Sequence, residues 1–179
     1  MSETYKMKIA GLERELPICP LNDKLSIAGF IIFGDVELTV ACAEELLEKL
    51  PEFDYIITPE AKSIPLAYEM SRQCGKKYFV VRKKEKVYMR DPVSVTVNSI
   101  TTKSEQKLIL DGTDGEQIRG KKIVILDDVI STGESLQSVE KLVKKFDVDI
   151  VAKAAILAEG DAAKRDDIVF LGELPLIFK

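Results

Sequence analysis

Apolar runs and amphipathic stretches alternate along most of the chain, and this alternation predicts its secondary structure. Continuous apolar runs bounded by breakers predict buried strands at 53–58, 77–81, 123–126 and 149–157. Apolar residues at helical spacing predict helices over 36–50, 64–74 and 134–146. Asp35 is placed to cap the first helix, and Pro65 lies in the first turn of the second. Strands that alternate with helices indicate an α/β fold with a parallel sheet.

Two segments depart from this alternation. Residues 1–34 contain short apolar runs interrupted by glycine and proline, which predicts hairpins or a small subdomain. Residues 82–107 are polar, charged and rich in β-branched residues, which favours a long loop or a β-arm that could serve as a functional lid. At 179 residues the chain is most simply a single domain, residues 1–179, with its core in residues 35–160.

Composition and charge exclude several classes of protein. The chain is 46% hydrophobic and 31% charged, and its net charge of −4 argues against general binding to nucleic acid or to a membrane surface. The N-terminal residues have no apolar core of signal-peptide length, and no apolar run is long enough to span a membrane. We therefore expect a cytoplasmic protein in which the three cysteines are reduced thiols.

The absence of histidine and tryptophan limits the chemistry that the chain can perform. Ser-His-Asp and Cys-His nucleophilic catalysis in their usual forms are excluded, and so are most zinc sites. Catalysis must therefore use carboxylates, lysine, arginine, hydroxyls, backbone amides and a metal bound through oxygen.

The most informative segment is the apolar strand at 123–126, which leads into Asp127 and Asp128 and then into the turn Ser131–Ser135. In open α/β sheets, ligands bind at the carboxyl ends of the strands. The turn opens a helix, whose free N–H groups favour an anion such as a phosphate. Acids beside a phosphate cradle indicate a phosphorylated sugar as ligand. Ser131 and Glu134 also fit a capping box, and no upstream glycine-rich loop supports a P-loop ATPase.

This segment resembles the ribose-phosphate signature of the type I phosphoribosyltransferases: a hydrophobic strand, two aspartates, two further residues and a hydroxyl- and glycine-bearing loop. The resemblance implies that Asp127 and Asp128 lie against the ribose hydroxyls or against Mg²⁺, directly or through water. It implies that the loop binds the 5′-phosphate of phosphoribosyl pyrophosphate (PRPP) through Ser131, Thr132, Gly133, Glu134 and Ser135. Within this loop, the side chain of Glu134 is expected to point away from the phosphate.

Two further segments match the same family in the expected order. The turn Glu60, Ala61, Lys62, Ser63 resembles the pyrophosphate loop, in the form found in adenine phosphoribosyltransferases and related purine enzymes. Arg82 and Lys83, directly after a strand, would add cations for pyrophosphate and serve in catalysis. The following residues to 107 would form the flexible catalytic loop. Residues 1–34, together with the C-terminal tail, would form the hood, the small subdomain that covers the base. Two adenine-enzyme elements, Arg-Gly-Phe and Pro-Gly-Glu, are missing from their usual places.

The resemblance implies a purine phosphoribosyltransferase that uses Mg²⁺, PRPP and a nucleobase, with adenine ranked ahead of the 6-oxopurines. The alternatives are a PRPP-binding regulatory protein of the same fold, or a 6-oxopurine or orotate enzyme. A homodimer is expected from the family, without nucleic-acid or membrane partners. The proton acceptor stays open between Asp91, Glu105 and water.

Overall fold

The computed structural model describes residues 3–97 and 106–178. Within these residues the strands, in chain order, are β1 (Thr4–Ile9), β2 (Leu12–Pro20), β3 (Leu25–Ala28), β4 (Tyr55–Pro59), β5 (Tyr78–Val81), β6 (Val93–Val97), β7 (Gln106–Leu110), β8 (Lys122–Ile130), β9 (Asp149–Glu159), β10 (Val169–Leu174) and β11 (Leu176–Phe178). The α-helices are α1 (Val36–Lys49), α2 (Ile64–Cys74), α3 (Gly112–Ile118) and α4 (Glu134–Val143). Short 3₁₀ helices follow at Lys144–Phe146 and Gly160–Lys164.

The centre of the molecule is a five-stranded parallel sheet in the order β10-β9-β8-β4-β5. Alternate residues of β8 enter different cores, because successive side chains of a strand point to opposite faces. Val124 and Leu126 pack with α1 and α2, whereas Ile123 and Ile125 pack with α3 and α4. The sheet is therefore covered by helices on both faces, which confirms the predicted α/β fold class.

The predicted helix signals act as expected in α1 and α2. Asp35 caps α1, and its carboxylate accepts a hydrogen bond from the Leu38 N–H at 3.1 Å. Pro65 lies in the first turn of α2, which ends at Gly75 in the left-handed conformation. The capping box predicted from Ser131 and Glu134 is wrong, because α4 begins after Gly133, which has no side chain to cap it.

The hood is a four-stranded antiparallel sheet in the order β1-β2-β3-β11. Its first three strands come from residues 1–34, as the glycine and proline punctuation predicted. Its fourth strand comes from the C-terminal segment, whose residue Leu176 lies opposite Ile27. The hood therefore joins the two ends of the chain beside β10, the edge strand of the parallel sheet.

The segment 82–107 contains a β-arm, in which β6 pairs antiparallel with β7. Residues 98–105, including the candidate proton acceptor Glu105, lie outside the described residues. The arm is anchored, because Arg82 forms an isolated bridge with Ile109, and Leu108 and Leu110 are buried beneath α4. Its role as a flexible catalytic loop, and the domain boundaries given above, stay predictions.

No helix in the described ranges 3–97 and 106–178 combines the length and the apolar character that crossing a membrane requires.

Candidate active site

Two adjacent carboxylates lie near the carboxyl end of β8. Asp128 is buried, with 3% of its surface exposed, and its backbone N–H donates to Asp127 Oδ1 at 2.9 Å. Burial, followed by the neighbouring charge of Asp128, raises the pKa of Asp127 to about 7. Two carboxyl groups this close resist simultaneous ionisation, so the pair favours a cation or a hydroxyl donor as its ligand.

Lys62 lies directly opposite this pair. Its Nζ is 2.9 Å from Asp128 Oδ2, because β4 pairs in parallel with β8 and their carboxyl ends meet at the same edge. The contact is an ion pair without hydrogen-bond alignment, and among the described residues Oδ2 is buried without a hydrogen-bond donor. The sequence assigned Lys62 to pyrophosphate, whereas in this structure its ammonium contacts the acidic pair.

The turn that carries Lys62 is held against β8 by buried hydroxyls. Thr58 Oγ1 lies 2.7 Å from Ser63 Oγ and 2.9 Å from the carbonyl oxygen of Leu126, the residue before the acidic pair. Ser63 Oγ donates to the Pro59 carbonyl at 3.1 Å, and the Glu60–Ala61 peptide bond is cis. The Ser63 side chain is therefore directed inward and fixes the turn, while Ala61 and Lys62 are exposed.

Glu60 connects the pyrophosphate turn to the two predicted cations. Its carboxylate accepts from Arg82 Nε and from the Lys83 backbone N–H, each at 2.7 Å. Burial opposes ionisation, but these two donors hold the pKa of Glu60 below its usual range. Arg82 Nη1 also donates to the Tyr88 hydroxyl at 2.6 Å. Arg82 is thus positioned by Glu60, a partner that the sequence did not reveal, while the Lys83 side chain is exposed.

The loop from Ser131 to Ser135 surrounds a small cavity of about 50 Å³ that is continuous with Asp127. Gly133 adopts φ +82°, a conformation that side-chain-bearing residues rarely take, and α4 starts immediately after it. Ser131, Thr132, Gly133 and Ser135 line the cavity. Glu134 does not, which agrees with the expectation that its side chain points away.

A larger cavity of about 530 Å³ adjoins the same loop. It lies between the loop, the segment after β9 and the hood, and is lined by Ser131, Thr132, Glu159, Gly160, Asp161, Ala162, Arg165 and Leu176. Burial raises the pKa of Glu159. Sequence reasoning missed Glu159 and Arg165, because Lys164-Arg165-Asp166-Asp167 looks like an ordinary solvated charge cluster.

The acidic pair fits a hydrated magnesium ion. In the described part of the chain, no three acidic or cysteine side chains cluster closely enough to hold a metal by themselves. Mg²⁺ usually keeps several waters and binds one or two carboxylates together with substrate phosphates. Asp128 Oδ2, which lies 2.9 Å from Lys62 Nζ and has no hydrogen-bond donor in the described part of the chain, is an oxygen that such an ion could use.

The fold and the site together define an α/β protein with its ligand site at the carboxyl edge of a parallel sheet. A model of the family described as phosphoribosyl transferase domain matches residues 40–173. The chain therefore belongs to the phosphoribosyl transferase domain family.

The curated relatives are named for 6-oxopurines. Hypoxanthine/guanine phosphoribosyltransferase of Methanothermobacter thermautotrophicus is 33% identical over 129 residues, which cover 72% of this chain and 63% of that protein. The protein of the same name from Methanococcus vannielii is 36% identical over 107 residues, which cover 60% of this chain and 54% of that protein. The chain thus matches less than two thirds of the length of these relatives.

The two solved structures described next are named for adenine. Adenine phosphoribosyltransferase of Thermoanaerobacter pseudethanolicus has a TM-score of 0.67 at 20% identity, covering 79% of this chain and 84% of that one. The enzyme of the same name from Giardia lamblia, complexed with 9-deazaadenine, has a TM-score of 0.67 at 14% identity, covering 95% and 93%. At these identities the likeness establishes the fold alone.

Proposed function

We propose that this chain is a purine phosphoribosyltransferase, which transfers ribose 5-phosphate from PRPP to a purine nitrogen and releases pyrophosphate. The observation that carries the proposal is one edge of the sheet, where the acidic pair, the glycine loop and the Lys62 turn meet. The three features match the ribose, the 5′-phosphate and the pyrophosphate of PRPP in that order.

Each feature has a physical task in this reaction. Backbone N–H groups at the start of α4 bind the 5′-phosphate, and Asp127 and Asp128 hold the ribose hydroxyls or a metal-bound water. The C1–O bond to pyrophosphate breaks, a C1–N bond forms, and the purine nitrogen loses its proton. We assign Lys62 and Lys83 to the negative charge that grows on the leaving group, and Glu60 keeps Arg82 oriented for the same purpose.

Mg²⁺, when bound, would supply charge neutralisation to the pyrophosphate. Asp127 and Asp128 are the residues that would hold it. The proton acceptor stays open: Asp91 is exposed at the base of the arm, Glu105 lies outside the described residues, and water is the third choice. A cytoplasmic location and the lack of nucleic-acid and membrane partners stay predictions.

For the base, we place hypoxanthine and guanine ahead of adenine. The two relatives described above, at 33% and 36% identity, are named for these bases, whereas the adenine enzymes described above resemble this chain in fold alone. The adenine preference drawn from the Lys62 turn stays a prediction that the same experiment tests.

The test is pyrophosphate release from PRPP and Mg²⁺ in the presence of adenine, hypoxanthine, guanine, xanthine, uracil or orotate. We expect turnover with at least one purine and its loss in the Asp127→Asn/Asp128→Asn variant. PRPP binding without turnover on any base would favour the regulatory alternative, and turnover on orotate alone would replace the purine assignment. A chain that does not bind PRPP would contradict the proposal.

We further propose a homodimer formed through an exposed apolar face beside α1 and α2. Val36 and Tyr68, which are 72% and 58% exposed, line one groove with Ile32 and Pro65. Phe33, 52% exposed, lies in the segment that leads into this groove. Apolar side chains this exposed and this close together are typical of protein interfaces.

The variant Val36→Asp/Tyr68→Asp is expected to convert the dimer into a monomer in sedimentation-velocity experiments. An acid at position 36 suits the first turn of α1, so the fold should be retained. Leu21→Asp, which places the same charge at an exposed apolar site on the hood, is the matched control and should remain dimeric. A wild-type chain that sediments as a monomer at micromolar concentration would contradict the dimer.

A further inference from the structure

The guanidinium of Arg165 lies directly against the glycine loop of the candidate active site. A Cβ atom placed on Gly133 would be only 2.6 Å from Arg165 Nη1, so the two groups are in close contact. Arg165 also lines the 530 Å³ cavity together with Ser131 and Thr132 of the same loop. Arg165, a cation from the segment after β9, therefore faces the loop that precedes α4.

The orientation of this guanidinium is fixed by a bidentate ion pair. Its Nε and Nη2 donate to the two carboxylate oxygens of Asp167, each at 2.8 Å. Asp167 also accepts from Lys153 Nζ at 2.7 Å, and Lys153 in turn contacts Glu140 of α4 at 3.2 Å. We call the Arg165–Asp167 pair the clamp. Through Lys153 it is connected to β9, and through Glu140 to α4, the helix that begins at the loop.

The remaining nitrogen of the guanidinium, Nη1, has no acceptor among residues 3–97 and 106–178. Among the described residues, Nε and Nη2 of Arg165 are the nitrogens that donate, and Nη1 forms no hydrogen bond. The Arg165 side chain as a whole is 27% exposed, and its Nη1 lies beside Gly133. An arginine held rigidly on one edge presents its other edge as a preformed anion-binding group.

A cation beside this loop would offset the negative charge that the loop carries. Of the described residues that line the two cavities beside the loop, Arg165 is the only cation. The loop contains Glu134, whose charge opposes a bound phosphate even with the side chain turned away. Hydroxyls and backbone N–H groups alone would have to overcome this repulsion.

We propose that Arg165 is a binding residue for the 5′-phosphate of PRPP and of the nucleotide product, donating from Nη1 to a phosphate oxygen held in the loop Ser131–Ser135. The inference rests on the proposed function. Asp167 acts through Arg165 as a positioning residue. Gly133 has a second role besides its backbone conformation, because any side chain there would occupy the position of the guanidinium.

Calorimetric titration of the full chain in Mg²⁺ buffer with ribose 5-phosphate, PRPP and pyrophosphate as separate probes tests this assignment. Arg165→Met is expected to weaken ribose 5-phosphate and PRPP binding by about 10- to 100-fold, the size of a lost charge-assisted hydrogen bond, and to leave pyrophosphate binding unchanged. Arg165→Lys should recover part of the loss. Asp167→Asn, which loosens the clamp without removing the cation, should cause a smaller loss.

The matched control is Arg119→Met. Arg119 forms the same bidentate pair with Glu116, at 2.8 and 2.6 Å, but it lies before β8, away from the ligand edge of the sheet. Its loss should not change the binding of any probe. Circular dichroism melting checks folding; if Arg165→Met does not fold, the ribose 5-phosphate affinities of Arg165→Lys and Asp167→Asn decide, and wild-type values for both overturn the assignment.

The outcomes separate this assignment from the proposed function. Wild-type ribose 5-phosphate affinity in Arg165→Met overturns the role of Arg165 and leaves the function intact. A loss confined to pyrophosphate assigns Arg165 to the leaving group and also overturns it. If the wild-type chain binds neither PRPP nor ribose 5-phosphate, the proposed function fails, and the assignment fails with it.

Discussion

Replacing Asp128 with asparagine is expected to lower kcat/KM for PRPP by about 100- to 1000-fold, the usual effect of removing one preorganised electrostatic group. Asp128 is buried, its Oδ2 accepts no aligned hydrogen bond among the described residues, and Lys62 lies 2.9 Å from that oxygen. Asparagine keeps the size of the side chain but removes the charge that would hold a ribose hydroxyl or a metal-bound water. Lys62 would also lose its partner.

Initial rates of pyrophosphate release at varied PRPP measure this effect. Asp149→Asn is the control, because Asp149 is an exposed aspartate at the opposite end of the neighbouring strand β9. It should keep the wild-type rate. Retention of more than about a third of wild-type kcat/KM in Asp128→Asn would show that its charge does not act on the transition state.

Asp127→Asn is expected to make the ligand-free protein more stable, by up to about 4 kcal/mol at pH 8. The pKa of Asp127 is raised from 3.8 to about 7 by burial and by Asp128. Between these two values the folded state binds more protons than the unfolded state, so wild-type stability falls as the pH rises from about 4 to about 7. The advantage of the variant should therefore be small near pH 4 and complete above pH 7.

Urea unfolding of both proteins between pH 4.5 and 8, with EDTA present, measures this difference. The control is Asp149→Asn, which replaces an exposed aspartate at the opposite end of β9 from the acidic pair. A stability difference that stays constant across the range would contradict the raised pKa. With Mg²⁺ present in place of EDTA, the pH effect should weaken, because a cation beside the acidic pair favours the ionised carboxylate.

Elements with strong local signals were predicted closely. The helix over 64–74 matches α2 to the residue, since Pro65 and Gly75 mark its two ends. The strand preceding the acidic pair was also placed correctly, although β8 continues through the pair to Ile130. Apolar periodicity and backbone stereochemistry are properties of neighbouring residues, so a sequence can report them.

Elements that depend on distant partners were missed. The helix α3 contains two glycines, which local propensity disfavours; Gly115 is required there because a Cβ would lie 2.2 Å from the Phe146 ring. The sequence placed the C-terminal tail in the hood without predicting β10 or β11 as strands, because their pairing with β9 and β3 is fixed only in the fold.

In the candidate site, too, features set by neighbouring residues were predicted and features set by distant contacts were missed. The acids and the glycine loop come one after the other at the carboxyl end of β8, so their spacing in the sequence was enough to place them together. The pairing of Glu60 with Arg82 and the position of Arg165 over Gly133 depend on contacts across the sheet edge. Sequence spacing carries no information about such contacts, and Glu60 had been assigned to pyrophosphate rather than to an arginine.

The joining of β11 to β3 has a consequence for how the molecule folds. Strand β3 has an unpaired edge until residues 176–178 have been synthesised, after every strand of the parallel sheet. Pairing across such a sequence separation is slow, and an unpaired strand edge is a site of misassociation. The hood is therefore expected to be the last part to order, and folding intermediates should be most prone to aggregation through β3.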